Sequence, residues 1–380
     1  MKRKKALILA IFGLVLTSCG NDKKSIIPPV TEQTTKSKNN KYENPTYPLV
    51  DGKKSPTYTA DPYVIKDGLD YYMYCTQTEV IDESSAYRFK RGPIFKSIDL
   101  VNWTYVGNVF DNYEPNWGTS GAGVWAPTVI KIGNKWNYYY SLSTGGDKNP
   151  GIGVATSDNP YGPFTHYGKL FNSEEIGVTN SIDPHVFYDN EKLYMVFGSF
   201  GGLITLIELN DDGLSLKNGL EYQKENKHAL AGYEIVDTNN YEASFILKAY
   251  GKYYLFLSTG TCCSGVKSTY RVVVGMSDSL FGPYKNKKGQ DLFGPNRGET
   301  VISPILNSTM GVGHNAIIQD DANNYWMIYH GYDVNGEKPE YRSLYLDQLL
   351  FDQDNYYPYV LNYRASTELK DGPYINSLEE

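Results

Sequence analysis

The sequence has 380 residues, 35 of them tyrosine, and a net charge of −7. Its length permits one large domain or two to three small ones. Outside the first two dozen residues there is no basic cluster, which disfavours nucleic acid as a partner.

The chain opens with MKRKK, a charged stretch, followed by ALILAIFGLVL, an apolar run too short for a comfortable membrane span, and LTSC, which ends at Cys19. This order resembles the lipobox of bacterial lipoproteins. The resemblance implies cleavage before Cys19, a lipid anchor on its thiol, and an outer-membrane lipoprotein on the cell surface or the periplasmic face. Residues 1–19 are therefore read as signal peptide with lipobox Cys19, and residues 20–50 as a polar tether rich in Lys, Asn, Ser and Thr. Residues 51–380 are read as one folded domain.

Five stretches of that domain can be laid over one another without a gap. They are DPYVIKDGLDYYMY from Asp61, APTVIKIGNKWNYYY from Ala126, DPHVFYDNEKLYMVF from Asp183, ASFILKAYGKYYLFL from Ala243 and NAIIQDDANNYWMIY from Asn315. Each reads as a short apolar strand, a turn, and a second strand dense in aromatics. Their second residues, Pro62, Pro127, Pro184, Ser244 and Ala316, are spaced by 65, 57, 60 and 72 positions. Strand repeats of this length predict an all-β fold, a five-bladed β-propeller. The segments TSDNPYGPF, MSDSLFGPY and KSIDLVNWTYV read as links from the third to the outer strand of a blade. The most helix-like piece, EYQKENKHALAGYE, is short and broken by Gly.

Four cysteines give neither a disulfide framework nor metal-ligand spacing. Cys75 reads as a small buried strand residue. Adjacent Cys262 and Cys263 could bond to each other or simply pack; packing is the expectation. The glycine-containing loops GTSGAG and STGGDKNPGIG lack the strand–loop–helix context and the Lys of a phosphate cradle.

Asp61, Trp125, Asp183, Glu242 and His314 sit just before the shared strand of the five units. Blades arranged about an axis would bring them together. Acids at inner strand ends are costly unless paired or protonated. Glycosidic hydrolysis uses such acids: one carboxylate acts on water or on carbon, and a second enters protonated to release the leaving oxygen. A lone Asp next to Pro is more often a turn residue, and the repeat register is what argues for chemistry.

The series TADPYVI, VWAPTVI, NSIDPHVF, YEASFIL and GVGHNAI resembles glycoside hydrolase family 43 from about Tyr58 to Tyr359, and GTCCSGVKSTYRVVVGMSDS is most like its endo-acting α-1,5-L-arabinanases. The resemblance implies a five-bladed propeller, an inverting mechanism and arabinan or arabino-oligosaccharides as substrate. It implies Asp61 as general base, Glu242 as general acid and Asp183 as the residue that raises and orients the acid. It further implies that Trp125, Asn180 and Arg271 contact substrate, and that His314 faces a calcium ion held largely through water. Thr128 departs from the pattern, where many relatives carry an acid, and so does Ala243–Ser244, where many carry Gly-Pro. Exo-acting arabinanase, arabinofuranosidase and β-xylosidase activities share the motifs. A noncatalytic glycan-binding lipoprotein would need no acid of raised pKa, and the presence of all three carboxyls argues against it.

Overall fold

The computed structural model describes residues 39–56, 58–81, 87–111, 115–233 and 241–378. The expected leader with Cys19, and the expected tether up to residue 38, lie outside these. The described chain forms four antiparallel four-stranded sheets, a seven-stranded sheet that contains a fifth four-stranded blade, and a two-stranded sheet. Blade 1 comprises Tyr63–Asp67, Asp70–Tyr74, Tyr87–Ser97 and Thr104–Phe110; blade 2, Gly123–Ile132, Lys135–Ser143, Gly151–Ser157 and Thr165–Asn172. Blade 3 comprises His185–Asp189, Lys192–Phe197, Leu203–Leu209 and His228–Gly232; blade 4, Glu242–Ala249, Lys252–Thr259, Arg271–Ser277 and Glu299–Ile302. Blade 5 comprises Thr309–Gln319, Tyr325–Asp333, Ser343–Phe351 and Pro358–Val360. The first strand of each blade packs against that of the next, and the fifth returns to the first. The fold is a closed five-bladed propeller. Among the described residues the longest α-helix is Leu220–Asn226, which overlaps the segment the sequence marked as most helical.

In blades 1 to 4 a two-residue turn joins the first two strands, with Asp67 facing Asp70, Ile132 Lys135, Asp189 Lys192 and Ala249 Lys252. Such turns need positive φ, which Gly68, Gly133, Asn190 and Gly251 provide. Blade 5 differs. Gln319 faces Tyr325 across a longer turn, residues 320–324, held by Asp320, whose carboxylate accepts from the Asn324 N–H and from Trp326 Nε1, both at 2.9 Å.

The longer turn corrects the gapless superposition. One left-handed residue marks the same point of every blade: Asp61, Ala126, Asp183, Ala243 and His314, with φ between 44° and 59°. His314, rather than Asn315, therefore stands at the Asp61 position. The extra residue in the blade 5 turn hid this slip of one.

The second-strand aromatics fill the gaps between blades. Tyr72 and Tyr74 of blade 1 pack with Trp136, Tyr138 and Tyr140 of blade 2, and Tyr254 and Phe256 of blade 4 with Met327 and Tyr329 of blade 5. Wide, flat side chains suit these wedge-shaped joins.

At the joins the left-handed residues are tied across blades. The N–H of Ala126 donates to Thr76 Oγ1 (2.8 Å), that of Asp183 to Ser141 Oγ (2.9 Å), that of His314 to Ser258 Oγ (2.8 Å) and that of Asp61 to His330 Nδ1 (3.2 Å). Each acceptor lies on the second strand of the preceding blade or directly after it. Between blades 3 and 4 the corresponding residue is Gly198, where a Cβ would lie 2.3 Å from the Leu203 carbonyl oxygen. There the Ala243 N–H donates to Asp183 Oδ2 instead (3.1 Å).

The end of the expected tether is built into the fold. Lys41–Tyr42 pairs with Lys370–Asp371, and Leu49–Val50 lies parallel to the outer strand of blade 1. Buried Asn44 donates to the Leu346 carbonyl (2.8 Å) and Ser366 Oγ (3.0 Å), and accepts from the Leu346 N–H (2.9 Å). Residues 39–50 thus clasp blade 5 to blade 1.

Candidate active site

Asp61, Asp183 and Glu242 come from blades 1, 3 and 4, and each residue is buried, no more than 9% exposed. Asp61 is surrounded by donors. Arg342 Nη1 reaches both its oxygens (2.8 and 3.1 Å), Thr76 Oγ1 donates to Oδ2 (2.5 Å), and His314 Nδ1 lies 3.2 Å from Oδ1. Burial by itself would raise this carboxyl, but Arg342 and then His314 more than offset it and hold it well below the usual range. Asp61 is a carboxylate at neutral pH.

Glu242 has the opposite setting. Burial pushes it up to about 6, against hydrogen bonds from Ser199 Oγ to Oε2 (2.7 Å) and from Tyr270 OH to Oε1 (2.6 Å) that favour its charged form. Asp183 is raised well above the carboxylate range by burial, then by the charges of Glu242 and Asp61. A buried pair of this kind titrates as a unit. It resists two negative charges and holds a proton between its members at neutral pH.

His330 lies against both the Oδ1 and the N–H of Asp61, each at 3.2 Å. The N–H can only donate, so Nδ1 accepts and the contact with Oδ1 is no ion pair; burial likewise lowers the pKa of His330 and keeps it neutral. Its ring stacks on Tyr270 at 5.9 Å. A continuous path, Glu242–Tyr270–His330–Asp61, therefore joins the two ends of the site.

Trp125 is half-buried directly before the left-handed residue of blade 2, against Gly123. Asn180, three residues before Asp183, is itself left-handed and donates to the Phe200 carbonyl (3.2 Å). The Arg271 guanidinium is hydrogen-bonded to Asn296 (3.2 Å), and its neighbour Tyr270 is the residue that reaches Glu242. Thr128, at the departure from the family pattern, donates to the Pro184 carbonyl and links blades 2 and 3. Cys262 and Cys263 form a disulfide with each other, correcting the expectation that they merely pack; Cys75 is buried and free. Sequence reasoning passed over Arg342, Tyr270, Ser199, Thr76 and His330. None stands at the shared edge of the units, where the search for chemistry was made.

Among the described residues no three His, Cys, Asp or Glu side chains cluster as metal ligands. Calcium takes 6–8 oxygens. With Nδ1 turned to Asp61, His314 has only Nε2 left for an ion. The next residue in the chain is Asn315, whose buried side chain has no hydrogen-bond partner in the protein. This donor set cannot enclose calcium, but it fits an ion that keeps most of its water.

Residues 55–357 match Glycosyl hydrolases family 43. An extracellular exo-α-(1→5)-L-arabinofuranosidase of Cellvibrio japonicus is 30% identical over 72% of this chain and 79% of its own. An extracellular endo-α-(1→5)-L-arabinanase of Bacillus subtilis is 30% identical over 72% and 80%. Among solved structures, an α-L-arabinanase of Cellvibrio cellulosa complexed with arabinohexaose superposes with a TM-score of 0.68 at 29% identity, covering 80% of this chain and 96% of that one.

Proposed function

The chain belongs to glycosyl hydrolases family 43, and from that premise we propose that it cleaves internal α-1,5-L-arabinofuranosidic bonds of arabinan with inversion. The observation that carries this reading is the contrast between two buried carboxyls of one site, Asp61 held ionised by Arg342 and Glu242 pushed up to about 6 by burial. Inverting hydrolysis requires one group of each kind. Asp61 takes a proton from the water that attacks the anomeric carbon. Glu242 gives its proton to the departing glycosidic oxygen, and exchange with solvent restores both. So many donors make Asp61 a weak base, which costs little where the transition state resembles an oxocarbenium ion and water bonds late. Asp183 sits beside the acid and opposes its ionisation. Trp125, Asn180 and Arg271 are the proposed substrate contacts.

His314 Nε2, with Asn315 next in the chain, would hold a mostly hydrated calcium ion. Its charge would favour the ionised form of Asp61.

Incubation with linear arabinan tests the reading. A ladder of oligosaccharides supports internal cleavage. Arabinose alone supports release from a chain end, a second reading favoured by the likeness to the Cellvibrio japonicus exo-enzyme. The first-formed product from an α-bond should be the β-anomer, read by NMR. The relatives named above are extracellular. We extend this to a lipid-anchored surface protein on the strength of the LTSC stretch ending at Cys19; Cys19→Ala should release the protein from membranes, and continued sedimentation with them would refute the anchor.

A further inference from the structure

The outer edge of blade 3 is left incomplete. Its outer strand begins at His228, which faces Leu206, so Ile207 and Glu208 of the third strand run on past its end. The helix Leu220–Asn226 crosses the gap instead. Buried Gln223 holds it there: its Oε1 accepts from the Glu208 N–H (3.0 Å) and its Nε2 donates to the Lys217 carbonyl (2.8 Å). A helix fills a strand edge less closely than a strand does, and a cavity of about 430 Å³ remains beside it. Tyr194 lines it too, as does Phe281 from the turn after the third strand of blade 4. Small-molecule sites have volumes of about 300–1,000 Å³. The cavity stands apart from the catalytic carboxyls. Asp183 precedes the first strand of blade 3, whereas Lys192, on the cavity wall, begins the second strand and faces Asp189 at the far end of the first. From Asp183 to Asp189 the extended chain covers roughly 20 Å.

The lining of this cavity is aromatic, polar and electrically balanced. Tyr222 on the helix and Phe281 are each 46% exposed. Two such rings at one cavity are more than the scattered apolar residues that any surface carries. Phe281 is braced edge-on by Tyr194, with ring centres 6.0 Å apart, and by His228 at 4.7 Å. Lys192 and Lys227 are matched by Glu208 and Glu225. Lys192 lies 3.4 Å from Glu208, and Lys227 donates to the Lys224 carbonyl (2.5 Å). An anionic ligand would call for an excess of cations and a cationic ligand for an excess of acids. The lining has neither, so it suits a neutral ligand. Aromatic faces carry negative charge that attracts C–H groups, while the lysines, glutamates and Asn226 can bond hydroxyls. A sugar chain has both kinds of group.

We propose that this cavity is a second, noncatalytic binding site for arabinan, which holds the polymer at the far end of blade 3 while the carboxyls cut it. The proposal rests on the reading of the protein as an arabinan hydrolase. Two attachments to one polymer strengthen each other and keep the enzyme on its substrate between cuts. The test is retardation of the protein by soluble linear arabinan in native gels, with Glu242→Ala in every protein so that the polymer stays intact. Adding Tyr222→Ala or Phe281→Ala should weaken retention by about three- to tenfold each, as expected for one ring contact. Tyr222→Trp, which keeps a ring, should retain it. With Glu242 in place, both alanine variants should leave kcat/KM unchanged on arabinotriose, which is too short to reach from one site to the other. Unchanged retention in both variants of an enzyme that cleaves arabinan overturns the cavity alone. A matching loss on arabinotriose also overturns it, because the effect would then lie at the carboxyls, and equal retardation by xylan overturns the assignment to arabinan. Tyr222→Ala, on the exposed face of the helix, decides the matter should Phe281→Ala not fold. Wild-type protein inactive on linear arabinan would overturn the functional reading, and this proposal with it.

Discussion

Glu242 and Asp61 differ in what surrounds them, and that difference separates their roles by experiment. Glu242→Ala should lose about 10²–10⁴-fold on arabinan, yet recover much of its rate on an aryl arabinofuranoside whose leaving group hardly needs a proton. Asp61→Ala should lose as much and recover nothing; equal recovery by both would reverse or cancel the assignment. The alkaline limb of kcat/KM reports loss of the acid's proton. Tyr270→Phe removes a hydrogen bond that favours ionised Glu242, so the limb should move to higher pH. Asp183→Asn acts in the opposite direction. The wild-type pair keeps one proton between two buried carboxyls, whereas with Asn only Glu242 holds it, without a negative neighbour, and the limb should fall towards about 6. Limbs moving the same way in both variants would contradict the electrostatics described here. Of these residues, Asp61, Asp183 and Glu242 were legible in the sequence because the repeat marks their edge. Arg342 was not. It stands 281 positions from Asp61 and reaches it only because the ring closes. Tyr270 was one tyrosine among 35.

At the scale of the strand and its turn, the repeat was readable because aromatic second strands and glycine turns recur. The slip of one residue in blade 5 was not, since a longer turn compensated for it. Nor does sequence say whether two adjacent cysteines bond. Gly198 shows what a single element demands. Its φ is 128° and an added Cβ would meet the Leu203 carbonyl oxygen at 2.3 Å. Gly198→Ala should destabilise the protein by about 2–4 kcal/mol in chemical denaturation. Gly201→Ala, at φ 79° with nothing within 4 Å of the added Cβ, should cost only about 1–2 kcal/mol, for strain alone. Equal costs would show that the close approach to Leu203 does not matter.

For the whole molecule, closure is the central fact. Composition made residues 20–50 look like solvated tether, because Lys41–Tyr42 pairs with Lys370–Asp371 and Asn44 bonds to Leu346, partners far along the chain and beyond the reach of any local pattern. Asn44 lies in that clasp, nearly buried and bonded to Leu346, Asp347 and Ser366. Asn44→Ala leaves buried partners unsatisfied and should lower unfolding free energy by about 2–4 kcal/mol, read by thermal or denaturant melting. A change below about 0.5 kcal/mol, the usual range for surface substitutions, would mean that the clasp contributes nothing to closure.

Asp183 has two employments: its Oδ2 lies beside the acid's blade and also takes the place of the side chain that Gly198 lacks, accepting the Ala243 N–H. Glu242 has no such second duty to the backbone ring. A descendant of this protein drifting from hydrolysis towards mere glycan binding could therefore discard Glu242 without breaking a backbone tie, provided that its replacement still accepts from the Ser199 and Tyr270 hydroxyls. It would be expected to keep Asp, or at most Asn, at 183 long after catalysis had ceased. An acid at that position is thus a poor diagnostic of a living enzyme, and Glu242 is the better one.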